Sequence, residues 1–282
     1  MASTEALHLT PLAEDDIPGC MALSAEAGWN QTREDWATFV RHGTVFGLLA
    51  DGAPVASGAI LPYPDDFAWI SMVLVTARRR RARIGTRILE TCCDEIARRG
   101  LVAMLDATPA GERVYRPLGF EPMFKLTRWQ GEGGAEAAKL PTGVRPVRED
   151  DLAAIVALDA AAFGAHRPFL LEGFFRRQAT LGFVIESDLN GFVLVRPGRL
   201  ATHIGPVVAE DEDGAATLLC AALDSARGPV FLDLADRWNG LARLVQQRGF
   251  TVQRPFLRMG MRRHVPFNDV ARTFVIASPE FG

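Results

Sequence analysis

The chain of 282 residues has only two tyrosines, five histidines and four cysteines, and each scarcity removes a class of function. Cys20, Cys92, Cys93 and Cys220 have neither metal-ligand spacing nor the density of a disulfide-stapled scaffold, so they read as reduced packing cysteines. The histidines are scattered too, which argues against a zinc site, and no metal is expected. No apolar run approaches the roughly 20 residues that span a bilayer. The opening stretch MASTEALHLTPLAEDD lacks the basic-then-apolar pattern of a signal peptide. The expectation is a cytoplasmic protein with no membrane partner. A net charge of −3 gives no general attraction to nucleic acid or acidic lipid, so basic character has to be sought locally.

What is present is enough apolar residue for sizeable cores, 48% of the chain, and a length suited to two domains of about 130 to 140 residues. The halves repeat. Thr10-Pro11-Leu12-Ala13-Glu14-Asp15-Asp16-Ile17 returns as Arg145-Pro146-Val147-Arg148-Glu149-Asp150-Asp151-Leu152, each copy reading as a strand followed by a capped helix. Leu118-Gly119-Phe120 returns as Arg248-Gly249-Phe250, so the copies are close to colinear. Between them, QGEGGAEAAKLPTG lacks an apolar period and reads as a linker. We therefore expect domains at 1–129 and 144–282, joined through 130–143.

The most informative stretch is Val73 to Leu89, VLVTARRRRARIGTRIL, where an apolar strand enters an amphipathic helix through an arginine-rich turn. A helix opening at Gly85 or Thr86 leaves amide N–H groups without intrahelical partners, and its dipole adds about half a positive charge there. Such an end binds phosphate, and Arg78, Arg79, Arg80, Arg81 and Arg83 surround it. A solvated arginine turn ahead of an ordinary helix is the plainer alternative. After Thr91 a helical stretch runs to Gly100, which stops it, and Leu101 to Leu105 follows as a strand. Strand, helix and strand in this order form a right-handed β-α-β unit with a parallel pair. Downstream, a helical stretch ends in Tyr115-Arg116-Pro117-Leu118-Gly119-Phe120, where glycine suits the left-handed residue after a helix and the aromatic returns to the core.

Arg80-Arg81-Ala82-Arg83-Ile84-Gly85-Thr86 resembles the pyrophosphate loop of the GNAT superfamily of acyl-CoA-dependent N-acyltransferases, R/Q-x-x-G-x-G/A. Arg80 and Gly85 match; Arg83 stands where the first glycine is usual and Thr86 where a small residue closes the loop. Y-x-x-x-G-F, ending at Phe120, resembles the second landmark of that family. The resemblance implies an α/β (α+β) chain of two tandem GNAT-like domains, each a mixed, centrally splayed sheet flanked by helices. It implies acetyl-CoA as cosubstrate, held by the backbone of Val73 and Val75 and by Arg80, Arg81, Ala82, Arg83, Ile84, Gly85 and Thr86. Tyr115 is implied as the acid that protonates the leaving thiolate.

No acid lies on the strand Phe67 to Met72, so loss of the amine proton to water is expected, with Glu26, Asp65, Asp66 and Asp106 as the candidate carboxylates. Trp29, Asn30 and Asp106 are candidate acceptor contacts; a core tryptophan and a capping asparagine are the alternative for the first two. The second copy lacks this chemistry. Its loop reads Ala209-Glu210-Asp211-Glu212-Asp213-Gly214, and Val245 stands in the place of Tyr115. Thr273 to Ser278 reads as a last strand on a sheet edge, ended by Pro279. The expected activity is acetyl transfer to a primary amine of a small-molecule or peptide acceptor, by a monomer or homodimer; a noncatalytic acyl-CoA-binding regulator is the alternative. A nucleic-acid partner is not expected, because the arginine run has no interleaved aromatics.

Overall fold

The computed structural model describes residues 8–64, 66–80, 82–134 and 139–282. It divides into two compact units, Met1–Leu105 and Asp106–Gly282. Arg81 and Asp65, with part of the segment read as a linker, lie outside the described residues.

In the first unit, β1 (His8–Leu12), β2 (Thr44–Ala50), β3 (Ala53–Tyr63), β4 (Phe67–Val75) and β5 (Val102–Ala107) lie in that order in the sheet. The helices are α1 (Ile17–Glu26), α2 (Arg33–His42) and α3 (Ile84–Arg98). β4 is buried along almost its whole length, from Phe67 to Leu74, as a strand covered on both faces should be. Ile84, Ile88, Cys92 and Ile96 recur every fourth residue and are all buried, giving α3 one apolar stripe. That stripe comes close to the sheet because Gly58 has no side chain; a Cβ there would sit 2.4 Å from Ile88 Cγ2.

The β4–β5 pair is parallel, as the β-α-β reading requires, but pairs only from Phe67/Val102 to Trp69/Met104. Just beyond, the β3–β4 register slips between Ser57 and Ala59, and Met72 takes a positive φ of 53°. The Ser57 hydroxyl donates to the Met72 carbonyl at 2.9 Å and secures the bulge. β4 thus turns away from its parallel partner a few residues before it enters the arginine turn.

The second unit begins with α4 (Pro109–Tyr115), β6 (Phe120–Glu132), β7 (Val144–Pro146), α5 (Leu152–Phe163) and α6 (Pro168–Phe175). β8 (Leu181–Ile185), β9 (Gly191–Arg196), β10 (Thr202–Ala209), α7 (Glu212–Ser225), β11 (Pro229–Ala235), α8 (Asn239–Gln247), β12 (Thr251–Met261) and β13 (Thr273–Val275) complete it. Its sheet order is β12-β6-β11-β13-β10-β9-β8-β7. β6 belongs by sequence to the first repeat, yet its partners on both sides, β11 and β12, come from the second. It also runs three residues into the segment read as a linker, through Gln130, Gly131 and Glu132.

β10 and β11 reproduce the β4–β5 geometry, pairing in parallel only from Thr202/Val230 to Ile204/Leu232. Here the last strand corrects the expectation. β13 does not extend a sheet edge: it enters the gap between β10 and β11 and pairs antiparallel with both. The sequence pattern showed an apolar strand, but the gap that receives it is created by two distant strands.

Buried ion pairs run through this unit. Arg128 and Asp233 form a two-bond pair at 2.8 and 2.7 Å, and Arg258 holds Asp106 at 2.9 and 2.8 Å. His203 lies 3.4 Å from Asp233, and burial with nearby Arg196 and Arg128 pushes its pKa well below the usual range. Both repeats close their entry turn the same way: Asp16 accepts from the Ala13 amide at 2.8 Å and Asp151 from the Arg148 amide at 2.7 Å.

Asp151 adds a two-bond contact to Arg145, and this arginine, with the Arg148 amide, holds its carboxyl down to about 2. Its stabilisation is complete above the ordinary carboxylate value of about 3.9 and is lost as pH falls through the folded value. Acid unfolding followed by circular dichroism should therefore show a stability loss between about pH 4 and pH 2 that is smaller in Asp151→Asn; identical profiles would refute the assignment.

Candidate functional site

The arginine turn is built on the bulged end of β4. Thr76 donates its amide to Val55 O at 2.9 Å, a 3-10 turn covers Ala77–Arg79, and Arg80 Nε returns to Val75 O at 3.1 Å. Glu26, at the end of α1, accepts from the Thr76 hydroxyl at 2.8 Å and the Ala77 amide at 2.6 Å. The Ala77 amide first, then Thr76, Arg80 and Arg78, hold its carboxyl below the ordinary range. Both oxygens are engaged and proton affinity is lowered, so Glu26 is a clip on this turn rather than a free base.

α3 opens at Ile84, one residue before the expected start. Its N-cap is Arg83, in the left-handed conformation with φ +57° and with no side-chain hydrogen bond to the helix. This backbone is where glycine is at ease, which explains physically why glycine is usual at that position. Arg80, Ala82 and Arg83 are exposed, Gly85 and Thr86 half-buried, and Ile84 anchors the turn in the core. A Cβ on Gly85 would meet Val75 Cγ2 at 3.5 Å, an ordinary contact, so the fold itself does not require glycine there. The result is a 15-residue helix whose first amides carry no side-chain cap, beside a row of exposed guanidinium groups.

In the second unit, Tyr115 ends α4, whose N-cap Thr108 accepts from the Gly111 amide at 3.1 Å. A 3-10 turn over Arg116–Leu118 follows, then Gly119 with φ +94°, and Phe120 enters the core. The Tyr115 and Phe120 ring centroids are 5.9 Å apart. The Tyr115 ring folds back over Gly111: a Cβ there would lie 2.8 Å from Cε2 and 3.1 Å from the hydroxyl oxygen. Tyr115 is half-buried, positioned by a glycine one helical turn earlier.

The second copy's counterpart differs where it matters for an anion. Helix α7 is capped by its own acid: Asp211 accepts from the Gly214 amide at 2.8 Å, while Glu212 reaches the Leu241 amide at 3.2 Å. Val245, in place of the tyrosine, is fully buried.

Comparison with known proteins decides the family. Residues 12–120 match the model described as the acetyltransferase (GNAT) family, and residues 155–271 match a second acetyltransferase (GNAT) domain. The chain belongs to the GNAT superfamily. The uncharacterised N-acetyltransferase YitH of Bacillus subtilis (strain 168) is 23% identical over 247 residues, covering 86% of this chain and 87% of the relative. Holothin acyltransferase of a Pseudoalteromonas species is 27% identical, over 64% of this chain and 61% of its own. Among solved structures, one from Pyrococcus horikoshii assigned to the acetyltransferases superposes with a TM-score of 0.82 at 21% identity, covering 98% and 96% of the two chains. A tandem GNAT protein from the clavulanic acid pathway superposes at 0.62 with 17% identity, covering 90% and 98%. The chain is thus a tandem GNAT protein of mixed, splayed α/β sheets, and acyl transfer is its class of activity.

Of the residues singled out for GNAT chemistry, Val73, Val75, Arg80, Ala82, Arg83, Ile84, Gly85 and Thr86 lie together on the β4–α3 turn of the first unit. Trp29, half-buried, and Asn30, buried, follow α1 in the same unit. Asp106 does not qualify as an acceptor contact: its side chain is inaccessible and both oxygens are taken by Arg258. That pairing is invisible in the sequence because the partners stand 152 positions apart. One position was missed: Gly111, which sets the tyrosine ring. Gln31, in the segment read with Trp29 and Asn30, is buried with its Oε1 lacking a hydrogen-bond partner. Among the described residues no group of His, Cys, Asp or Glu is placed to hold a metal ion, and no helix is long and apolar enough to cross a membrane.

The left-handed Arg83 yields a direct test. A non-glycine residue there costs about 1–3 kcal/mol, offset by the roughly 0.5–1 kcal/mol of chain entropy that glycine loses on folding. Arg83→Gly should raise unfolding free energy by about 1 kcal/mol in urea titration; a comparable loss would refute the strain at this position.

Proposed function

We propose that this protein is an N-acetyltransferase that moves the acetyl group of acetyl-CoA to a primary amine of a small-molecule or peptide acceptor by direct attack. The observation that carries this is the contrast between two equivalent helices. α3 presents uncapped amides beside exposed arginines, while α7 caps itself with Asp211. A pyrophosphate fits the first end and is repelled from the second. Acetyl-CoA supplies an activated thioester. The amides of Ile84, Gly85 and Thr86 with Arg80 hold its pyrophosphate, and Val73 or Val75 offers a backbone amide to the thioester oxygen. Much of the acceleration then comes from holding amine and thioester in attack geometry.

As the amine nitrogen bonds to the carbonyl carbon and the carbon–sulfur bond breaks, Tyr115 donates its phenolic proton to the departing thiolate. With Glu26 engaged at Thr76 and Ala77, the proton on the attacking nitrogen of the tetrahedral adduct leaves to water, and the Tyr115 phenolate takes a proton back from water. The segment Trp29 to Gln31 supports an acceptor wall of aromatic surface and amide groups. One relative is named as an acyltransferase of holothin, which supports acyl transfer as the reaction.

CoA release measured across amine classes tests the reading. At least one amine should turn over, Arg80→Glu should weaken acetyl-CoA binding about tenfold or more by calorimetry, and Tyr115→Phe should lower kcat about a hundredfold at unchanged affinity. Acetyl-CoA binding with no transfer to any amine would make the protein a noncatalytic acyl-CoA sensor; no binding would refute the site. Gly111→Ala gains about 1 kcal/mol of helix propensity, so its melting temperature should hold or rise while turnover falls as the phenol is displaced. Unchanged turnover would separate Tyr115 from the chemistry.

A further inference from the structure

The segment Thr273–Gly282 is held as a ligand is held. Val275 pairs with Val207 of β10 and with Leu234 of β11, Thr273 pairs with Val208, and the Ile276 amide donates to Asp233 O at 3.1 Å. Phe274, Val275, Ile276, Ala277, Ser278 and Phe281 are all buried. Two guanidinium groups, themselves at most 3% exposed, serve its carbonyls. Arg196 donates to Ala277 O, and to Gly205 O at 3.2 Å. Arg167 donates through Nη1 to Phe281 O at 2.9 Å and Gly282 O at 3.1 Å, while Asp159 fixes its Nε and Nη2 at 2.6 and 2.9 Å. Phe174 meets Phe281 edge to face at 5.3 Å and lies under Arg196 at 3.8 Å. Gly205 opens the floor, since a Cβ there would sit 2.2 Å from Ile276 O.

These features amount to a site. The β10–β11 ladder stops at Ile204 and Leu232, which leaves backbone groups on both strands in need of partners, and an extended peptide satisfies both sides at once. Arg167 and Arg196 place buried donors on the carbonyls of this segment, and losing those acceptors would carry a desolvation penalty. We propose that the second copy's splayed cleft is a peptide-binding site for an extended apolar segment, and that its resident occupant is Thr273–Gly282 of the same chain. An occupied cleft has no room between its strands for a pantetheine arm, so the second copy takes no acyl-CoA. Only this last consequence rests on the acetyl-CoA reading.

The test uses the full chain with a specific protease site placed at Val265, which is 53% exposed. After cleavage the released segment should co-elute with the body in native gel filtration. A fluorescent peptide of sequence TFVIASPEFG should exchange into the cleaved protein, and its Val275→Asp version should bind about a hundredfold more weakly. In the uncut chain, the amides of Val275 and Ile276 should match β10 and β11 in hydrogen-exchange protection, and calorimetry should find one acetyl-CoA per chain. Rapid exchange of these two amides in the uncut chain would overturn the proposal whatever the cleaved form does, and so would failure of the peptide to enter a cleaved protein of unchanged circular dichroism. Two acetyl-CoA per chain would overturn the exclusion. No acetyl-CoA binding, with the peptide entering as described, would sink the acetyl-CoA reading and leave the peptide site standing.

Discussion

Each repeat is organised around two parallel strands that cannot stay together. β4 and β5 pair for three residues, and so do β10 and β11, before bulges carry them apart. A parallel pair that diverges inside a core leaves backbone donors and acceptors that must be satisfied by something other than the neighbouring strand. Two solutions follow from one constraint. In the second repeat the chain supplies β13; in the first, under the proposed function, the amide groups of the cosubstrate's arm serve instead. The divergence also aims β4 at the arginine turn, because the bulge at Met72 sets the direction from which Val73 to Val75 leave the sheet.

The second unit has a charged interior that joins residues of both repeats. It buries Arg128 with Asp233, Arg167 with Asp159 and Arg258 with Asp106. Ion pairs of this sort add little net stability over apolar packing, yet losing one partner strands the other without solvent. They act as registration pins more than as glue. Arg167 and Arg196 in particular tie the last segment to the body, donating to the Phe281, Gly282 and Ala277 oxygens.

Much of this was legible in the residues alone. The Glu-Asp-Asp turn announced the duplication because an aspartate that caps its own entry turn is a local device, readable without the fold. The arginine turn, the glycine after Tyr115 and the four-residue stripe of α3 are local for the same reason. What stayed hidden depends on contacts across long separations. Arg258 claims Asp106 from a distant strand, and an apolar stretch such as Thr273–Ser278 does not reveal whether it lies at an edge or between two strands. Arg83 stood out as a departure from a glycine pattern, and only the backbone angle shows that the conformation was kept while the residue changed.

The placement of β6 bears on how such a duplication persists. A strand that belongs by descent to the first repeat is hydrogen-bonded on both edges by strands of the second. Ordinary pseudogenisation of a redundant copy ends in deletion, because nothing else needs it. Here, deletion of the second repeat would strip β6 of both ladders and expose its backbone. The second copy is thereby tied in shape to the first by the two ladders that hold β6.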